Sequence, residues 1–364
     1  MPRKGENIYK RKDGRWEGRF LESYTPDGKG KYHSVYAASY TEVKEKLNGF
    51  KNQTFQNPVR SSKLAKYCAD WLNMVRLNHK ESTYCKYRNV CEHHILPEFG
   101  RLNINLISEK IIESFLADKL NNQQLSPKTV NDILCVLKQI FSFAETTGIN
   151  IICNFSHIHI RQQKSEMRVL SYYEHKLFSE YLLEGMNFSK LGVYLSLYTG
   201  IRIGELCALK WSNVRLDEQV LKIDKTMQRI QTYEGNHKTK IIIAEPKSLC
   251  SRREIPLPQF LCDTLRRFRK NNNCFLLSGE SERFVESRAL SYSFKKNVKE
   301  CGLKDVNFHA LRHTFATRCV ESGFDIKTLS EILGHSSVKI TLDRYVHSSM
   351  ELKRKNMEKL AEIF

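Results

Sequence analysis

The 364-residue chain has no apolar run approaching the ~18 residues a membrane-spanning helix needs. Its opening stretch, MPRKGENIYKRKDGRW, lacks the apolar core of a secretory leader. Both absences predict a cytoplasmic protein with no membrane partner. Eleven cysteines are present, and no two are spaced as CxxC. In a reducing compartment they are expected to be free thiols. The tightest group of metal-type donors is CKYRNVCEHH, which holds Cys85, Cys91, His93 and His94. Zinc could use such donors. They fall within one short helical stretch, however, whereas tetrahedral sites draw on two separated pairs, so ordinary helix positions and no metal are expected. There is no GxxxxGK[ST] loop and no acidic metal cluster, which argues against a nucleotide or metal cofactor. Internal repeats and low-complexity tracts are also missing.

What is present in excess is positive charge. Fifty-nine Lys and Arg against 40 Asp and Glu leave a formal +19, while 41% hydrophobic and 27% charged residues are ordinary for a globular chain. A field of this sign predicts a polyanionic partner: DNA, RNA or an acidic lipid surface. An unrelated basic enzyme is the alternative.

The length implies two or three domains. The expected fold is multidomain α+β: a small N-terminal β-sheet unit (residues 1–55), a helical domain (62–155) and a mixed, mainly α domain with a small antiparallel sheet (168–364). In the first unit, NIYKRKDGRWEGRFLES alternates around the turn dipeptide Asp13-Gly14, and YTPDGKGKYHSVYAAS around Pro26-Asp27-Gly28. A helix is expected over about 41–50. Arg11, Lys12, Arg15, Arg19, Lys29 and Lys31 crowd this unit. It reads either as a sheet that enters a DNA groove or as a solvated basic face. A polar link, KNQTFQNPVRSSK, follows.

Helical periodicity then dominates. LAKYCADWLNMVR places Leu64, Tyr67, Cys68, Trp71, Leu72 and Val75 on one face. SPKTVNDILCVLKQIFSFAETTG opens with Ser126 as N-cap and Pro127 in the first turn, and ends at Gly148. HIHIRQQKSEMRVL, residues 157–170, has no helical stripe and reads as a linker. Beyond it, helices are expected near 172–184, 188–199 and 203–210. Strands follow at VLKID, TMQRIQTY, TKIIIAE and RREIPLP, and helices resume from about 258.

Four segments carry chemistry-bearing residues. YTGIRIGELCALKW holds Arg202 at a helix start, with Glu205 three residues on. AEPKSLCSRREIPL holds Lys247 in a turn between strands. FHALRHTFATRCVESGFDIKTLSEILGHSS holds His309, Arg312 and His335, and LDRYVH holds Tyr345. Singly each is weak, because arginines cap helices, histidines fill cores and tyrosines pack.

Together, and in this order, they resemble the tyrosine recombinase, or phage integrase, family over about the last 190 residues. The three-part layout looks most like integrases of conjugative transposons and temperate phages of Gram-positive bacteria. The resemblance implies a site-specific recombinase that cuts and rejoins DNA through a 3′-phosphotyrosine, integrating and excising a mobile element. Tyr345 would be the nucleophile. Arg202, Arg312 and His335 would hold the phosphate, and His309 would assist by hydrogen bonding and proton transfer near Tyr345. Lys247 would protonate the leaving 5′ oxygen, with a phosphate anchor as its alternative role. The residue types suit the task. A phenol near pKa ~10 must lose its proton to attack. Guanidiniums stay charged and donate in pairs to the oxygens that gather negative charge. Glu205 would hold an arginine or histidine; a solvated helix surface is its alternative.

The resemblance further implies an N-terminal arm-site reader, with Arg11, Lys12, Arg15 and Arg19 as DNA contacts. It also implies a helical core-binding (SAM-like) domain, a clamp around duplex DNA and a homotetramer on DNA. The tail SSMELKRKNMEKLAEIF groups Met357, Leu360, Ile363 and Phe364 opposite Lys353, Arg354 and Lys355. It is expected to dock on a neighbouring protomer or on its own domain. An excision factor or DNA-bending protein is a compatible accessory partner, though no residue argues for one. A type IB topoisomerase and a catalytically silent DNA-binding regulator are the rival readings.

Overall fold

A computed structural model describes residues 7–24, 30–55, 63–162, 168–233, 238–246, 248–345 and 357–358. The chain divides into two compact units, residues 1–162 and 163–364.

The first unit opens with three antiparallel strands in chain order: β1 (Ile8–Lys10), β2 (Trp16–Tyr24) and β3 (Gly30–Ala37). The Asp13-Gly14 dipeptide lies in the β1–β2 turn, and Gly14 takes φ +87°. The Pro26-Asp27-Gly28 turn lies outside the described residues. Alternation along the strands sends Ile8 and Val35 into a small core with Val43 and Leu47 of α1 (Tyr40–Phe55). Tyr9, Glu17 and Tyr36, in register with one another, take the other face. The helix runs five residues past its expected end at Phe50, so the polar link begins later than the sequence pattern suggested. The extension keeps residues that tolerate a helix and meets no Gly or Pro before Pro58.

The same unit contains α2 (Leu64–Asn78), α3 (Glu81–Val90), α4 (Leu96–Phe99), α5 (Glu109–Asn121) and α6 (Pro127–Thr146). Ser126 caps α6 by accepting from the Thr129 N–H at 3.1 Å. Leu64, Tyr67, Cys68, Trp71 and Val75 are buried along one face of α2, and Leu72 packs at its edge. A π-helical turn, Cys91–Ile95, joins α3 to α4. It turns Cys91 fully into the core, while the exposed His93 stays within 3.0 Å of its own backbone partner, the Asn89 carbonyl. Among the described residues no group of three or more His, Cys, Asp or Glu side chains is arranged to hold a metal. Past α6, Ile158 is buried and Ile160 packs against the helical core. The expected linker at 157–170 therefore starts as part of this core, because two of its isoleucines have an apolar surface to cover.

The second unit begins with α7 (Tyr172–Leu183), α8 (Phe188–Thr199) and α9 (Ile203–Ala208). Its strands are β4 (Val214–Arg215), β5 (Val220–Ile223), β6 (Thr226–Gln231), β7 (Thr239–Ala244) and β8 (Arg253–Pro256). They form two sheets rather than the single one expected: β4-β5-β8, and a separate β6-β7 ribbon. Lys240 on β7 and Arg253 on β8 therefore do not share a hairpin, since β8 returns to β5 and not to β7. The unit ends with α10 (Gln259–Phe268), α11 (Ser287–Glu300), α12 (His309–Glu321), α13 (Ile326–Leu333) and α14 (Val338–Tyr345). Phe178, Leu206, Trp211, Phe294 and Leu311 lie in the main core. Ala316, Cys319, Leu329, Leu333 and Tyr345 form a satellite core among α12, α13 and α14.

No helix among the described residues is long and apolar enough to cross a membrane. Of the expected docking tail, only residues 357–358 are described: Met357 of its apolar face is exposed, while Leu360, Ile363 and Phe364 lie outside the described residues.

Candidate active site

Two glycines set the backbone around the site. Gly200 ends α8 at φ +63°, and a Cβ there would stand 2.6 Å from the Phe315 ring. Gly334 ends α13 at φ +65°, and a Cβ there would come within 3.0 Å of Arg253 and the Cys250 carbonyl. Only glycine meets both demands without cost. Each turn releases the chain at once into a residue of interest, Arg202 in one case and His335 in the other.

The C-terminal end of α13 is where three arginines meet. Arg253 Nε donates to the Ile332 carbonyl at 2.5 Å, and Arg312 Nη2 to the Leu333 carbonyl at 2.6 Å. Arg202 Nη2 donates to the Gly334 carbonyl at 3.3 Å. The last carbonyls of a helix have no partner within it and carry the negative end of its dipole. Three successive carbonyls here are satisfied by guanidiniums drawn from three other elements. Arg312 Nη1 also donates to the Gly200 carbonyl at 2.9 Å.

Glu205 supplies the balancing charge. It is 3% exposed, in the first turn of α9 rather than on a solvated surface. One oxygen accepts from Arg202 Nη1 at 2.8 Å; the two together accept from the Arg253 fork at 3.2 and 2.8 Å. It also accepts from the Arg202 backbone N–H at 3.0 Å. Burial alone would raise the carboxyl's pKa, but the Arg253 bonds and the charges of Arg253 and Arg202 outweigh it and hold it below the usual range.

These groups border a pocket of about 220 Å³ lined by Arg202, Ser248, His309, Arg312, His335 and Arg344, among others. The guanidiniums of Arg202, Arg253, Arg312 and Arg344 all act on His335, while the Glu205 carboxylate pairs with only two of them, Arg202 and Arg253, so positive charge is in surplus. The histidines add none. Burial, then the charges of Arg312, Arg202, Arg344 and Arg253, push His335 down to about 3. Burial and the same kind of repulsion lower His309. A pocket with surplus positive charge and neutral imidazoles is built for an anion.

Tyr345 ends α14 with 7% of its surface exposed. Its ring stacks parallel to that of His335, centroids 6.3 Å apart. His335 Nδ1 lies 2.8 Å from the Thr341 hydroxyl, one turn earlier on α14. Burial raises the phenol's pKa, and the Arg312, Arg344 and Arg202 charges oppose that rise. The phenolic oxygen stands 2.8 Å from Nδ1 of His313, a residue the sequence pattern did not single out. His313 is 3% exposed, and its Nε2 has no hydrogen-bond partner among the described residues. A buried polar atom left so costs about 1–3 kcal/mol. One signal was available: His313 follows His309 by four residues, one helical turn on, and the two rings meet edge to face at 4.5 Å.

The structure thus brings Arg202, Glu205, His309, Arg312, His335 and Tyr345 to one place. Lys247 lies outside the described residues; Ser248, beside it in sequence, lines the pocket. The N-terminal basic residues lie in the other unit. There Glu17 accepts from Arg11 at 2.9 Å, Arg19 at 2.7 Å and Ser34 at 3.0 Å. The Arg11 and Arg15 guanidiniums sit 5.6 and 6.0 Å from the Tyr36 ring centre, and Lys12 is exposed in the turn.

Comparison with known proteins gives a concordant result. The phage integrase family model matches residues 186–351, and the model for the phage integrase N-terminal SAM-like domain matches residues 63–120. A "tyrosine recombinase XerC-like" protein of Caldanaerobacter subterraneus subsp. tengcongensis is 28% identical, over 92% of this chain and 91% of its own. The ICEBs1 integrase of Bacillus subtilis is 24% identical, over 80% of this chain and 81% of its own. Among solved structures, the Tn1549 transposon integrase in complex with a circular intermediate DNA superposes with TM-score 0.68 at 22% identity, covering 82% of this chain and all of that one. A lambda integrase tetramer bound to a Holliday junction gives TM-score 0.59 at 17% identity, covering 97% of this chain and 99% of that one. At these identities the structures speak for the fold. The two family models span more than half of the chain between them, and the relatives match over most of its length: the chain belongs to the phage integrase family of tyrosine recombinases.

Proposed function

We propose that this chain is a site-specific DNA recombinase that integrates and excises a mobile element through a 3′-phosphotyrosine intermediate. The observation that carries this reading is a surplus-positive pocket with Arg202, Arg312 and His335 on its wall and the Tyr345 phenol behind His335. A phosphodiester seated there would place its non-bridging oxygens against the two guanidiniums. Both are already fixed by the α13 carbonyls and Glu205, so little reorganisation is needed as charge builds. Donors preorganised in this way typically contribute about 2.7–4 kcal/mol each to a transition state. A Thr341 hydroxyl that donates to Nδ1 would leave the His335 proton on Nε2 as a further donor. The Tyr345 oxygen attacks phosphorus and the 5′ oxygen departs, protonated by Lys247 from the segment beside Ser248.

One diester replaces another, so the bond energy is kept in the phosphotyrosine. A 5′ hydroxyl from a second duplex can then reverse the step without a nucleotide. Residues 168–364 would perform this chemistry. Residues 62–155 would grip the core site, and residues 1–55 would read a separate arm site with the Arg11–Tyr36–Arg15 face. Four protomers would pair two sites. The relatives' shared integrase and recombinase names support this reading.

The test is strand transfer between two labelled duplexes that carry the junctions of the element encoding the gene. Exchanged products are expected. Nicking and closing of single duplexes without exchange would point to topoisomerase-like action. Binding with no covalent adduct would leave a DNA-binding regulator.

A further inference from the structure

We propose that His313 is the group that takes the proton of Tyr345 as its oxygen attacks phosphorus. The inference rests on the recombinase reading and goes beyond it by naming a residue outside the set that reading supplied. The geometry divides the two histidines of α12. His309 borders the anion pocket, where it would meet the phosphate. Of the two, it is His313 that hydrogen-bonds the phenol, its Nδ1 2.8 Å from the phenolic oxygen, which the Arg312 guanidinium also reaches. Its position in the chain, next to Arg312, ties it to the same turn of helix that holds the phosphate.

The step balances simply. The phenolic O–H bond breaks and its proton moves to Nδ1. The freed electron pair forms the O–P bond, and the P–O5′ bond breaks. The departing 5′ oxygen takes a proton from the acid on the other side. In the return step His313 hands its proton back to the phenol as the tyrosine leaves. Both directions need Nδ1 unprotonated at rest, which puts the resting proton on Nε2. That atom is buried, with no hydrogen-bond partner among the described residues.

The groups that face this imidazole are His309, Arg312, Arg344 and Tyr345. Burial, then His309 and the two arginines, hold it down to about 4, so it rests neutral. A phosphodiester in the pocket offsets those positive charges and raises the imidazole's proton affinity when transfer occurs.

The experiment uses the full chain and a nicked duplex spanning one junction of the element that carries the gene, with covalent adduct formation followed in time. His313→Asn keeps a hydrogen-bonding atom near Nδ1 but cannot take a proton. Adduct formation is expected to slow by about 10²–10⁴-fold, the usual worth of a positioned base, with DNA affinity retained. Both proteins are then prepared with Tyr345 replaced by 3,5-difluorotyrosine, whose phenol is a stronger acid. The loss caused by His313→Asn should shrink at least tenfold. An equal loss with either phenol overturns the proposal, as does a His313→Asn protein that cleaves at the parent rate. Selective recovery by the fluorinated phenol in His309→Asn, and not in His313→Asn, also overturns it and moves the role to His309. If the unaltered chain forms no adduct on any junction, the recombinase reading falls, and this proposal with it.

Discussion

Glu205 and Arg253 stand 48 residues apart in sequence and form a two-pronged ion pair, with side chains only 3% and 5% exposed. The same carboxylate reaches Arg202, so one buried charge holds two of the guanidiniums around the pocket. Removing one member of such a pair strands the other in low dielectric. Arg253→Met is therefore expected to cost about 3–5 kcal/mol, or roughly 10 °C in melting temperature for a unit of this size. Thermal unfolding checks this. A drop within 2 °C would mean that Arg202 alone suffices to hold Glu205.

The pH dependence of stability has a definite sign. Unfolded histidines take up a proton near pH ~6.5, whereas folded His335 stays neutral to about 3 and His313 to about 4. Between those values the unfolded chain binds more protons, so stability falls as pH drops from about 6.5 toward 4. Glu205 adds to the fall only at lower pH, since its folded pKa lies below the usual carboxylate range. Melts from pH 8 to pH 4 should show this slope, and His335→Asn should flatten it. An unchanged slope would mean that these imidazoles are protonated in the folded state.

Much of this was legible from sequence because local rules agreed with the fold. Ser126 caps a helix where an S-P pair precedes an apolar stripe, and Asp13-Gly14 turns where alternation requires it. Arg202, Arg312, His335 and Tyr345 were visible through their flanking motifs. What stayed hidden depends on contacts distant in the chain. Nothing in RREIPL says that Arg253 reaches Glu205, or that three arginines will share the last carbonyls of α13. His313 lies between Arg312 and Thr314 in a helix whose residues are mostly buried, where a histidine looks like any other core position. Binary pattern also misjudged α1, whose last residues are polar yet compatible with a helix.

Lys247 is expected to act as the acid for the departing 5′ oxygen. Lys247→Ala should cleave ordinary DNA slowly, by about 10²-fold or more. It should recover on DNA whose 5′ bridging oxygen is replaced by sulfur, because a thiolate leaves without a proton. Equal slowness on both substrates would make Lys247 a phosphate anchor.

The first 55 residues are expected to serve a second DNA site. Removing them should spare cleavage at the core site and abolish the footprint at the distant one. Binding at the distant site should also weaken with salt, with a log–log slope of about −0.9 for each neutralised phosphate. A full-length footprint that survives truncation would assign this face another role.

The central claim is that Tyr345 carries the DNA. The full chain is trapped on a nicked junction duplex, digested, and the modified peptide sequenced by mass spectrometry. A 3′-phosphonucleotide on Tyr345 is expected, together with complete loss of the adduct in Tyr345→Phe and unchanged DNA affinity, because only the hydroxyl is removed from a packed ring. An adduct on another residue, or one that persists in Tyr345→Phe, would contradict the account.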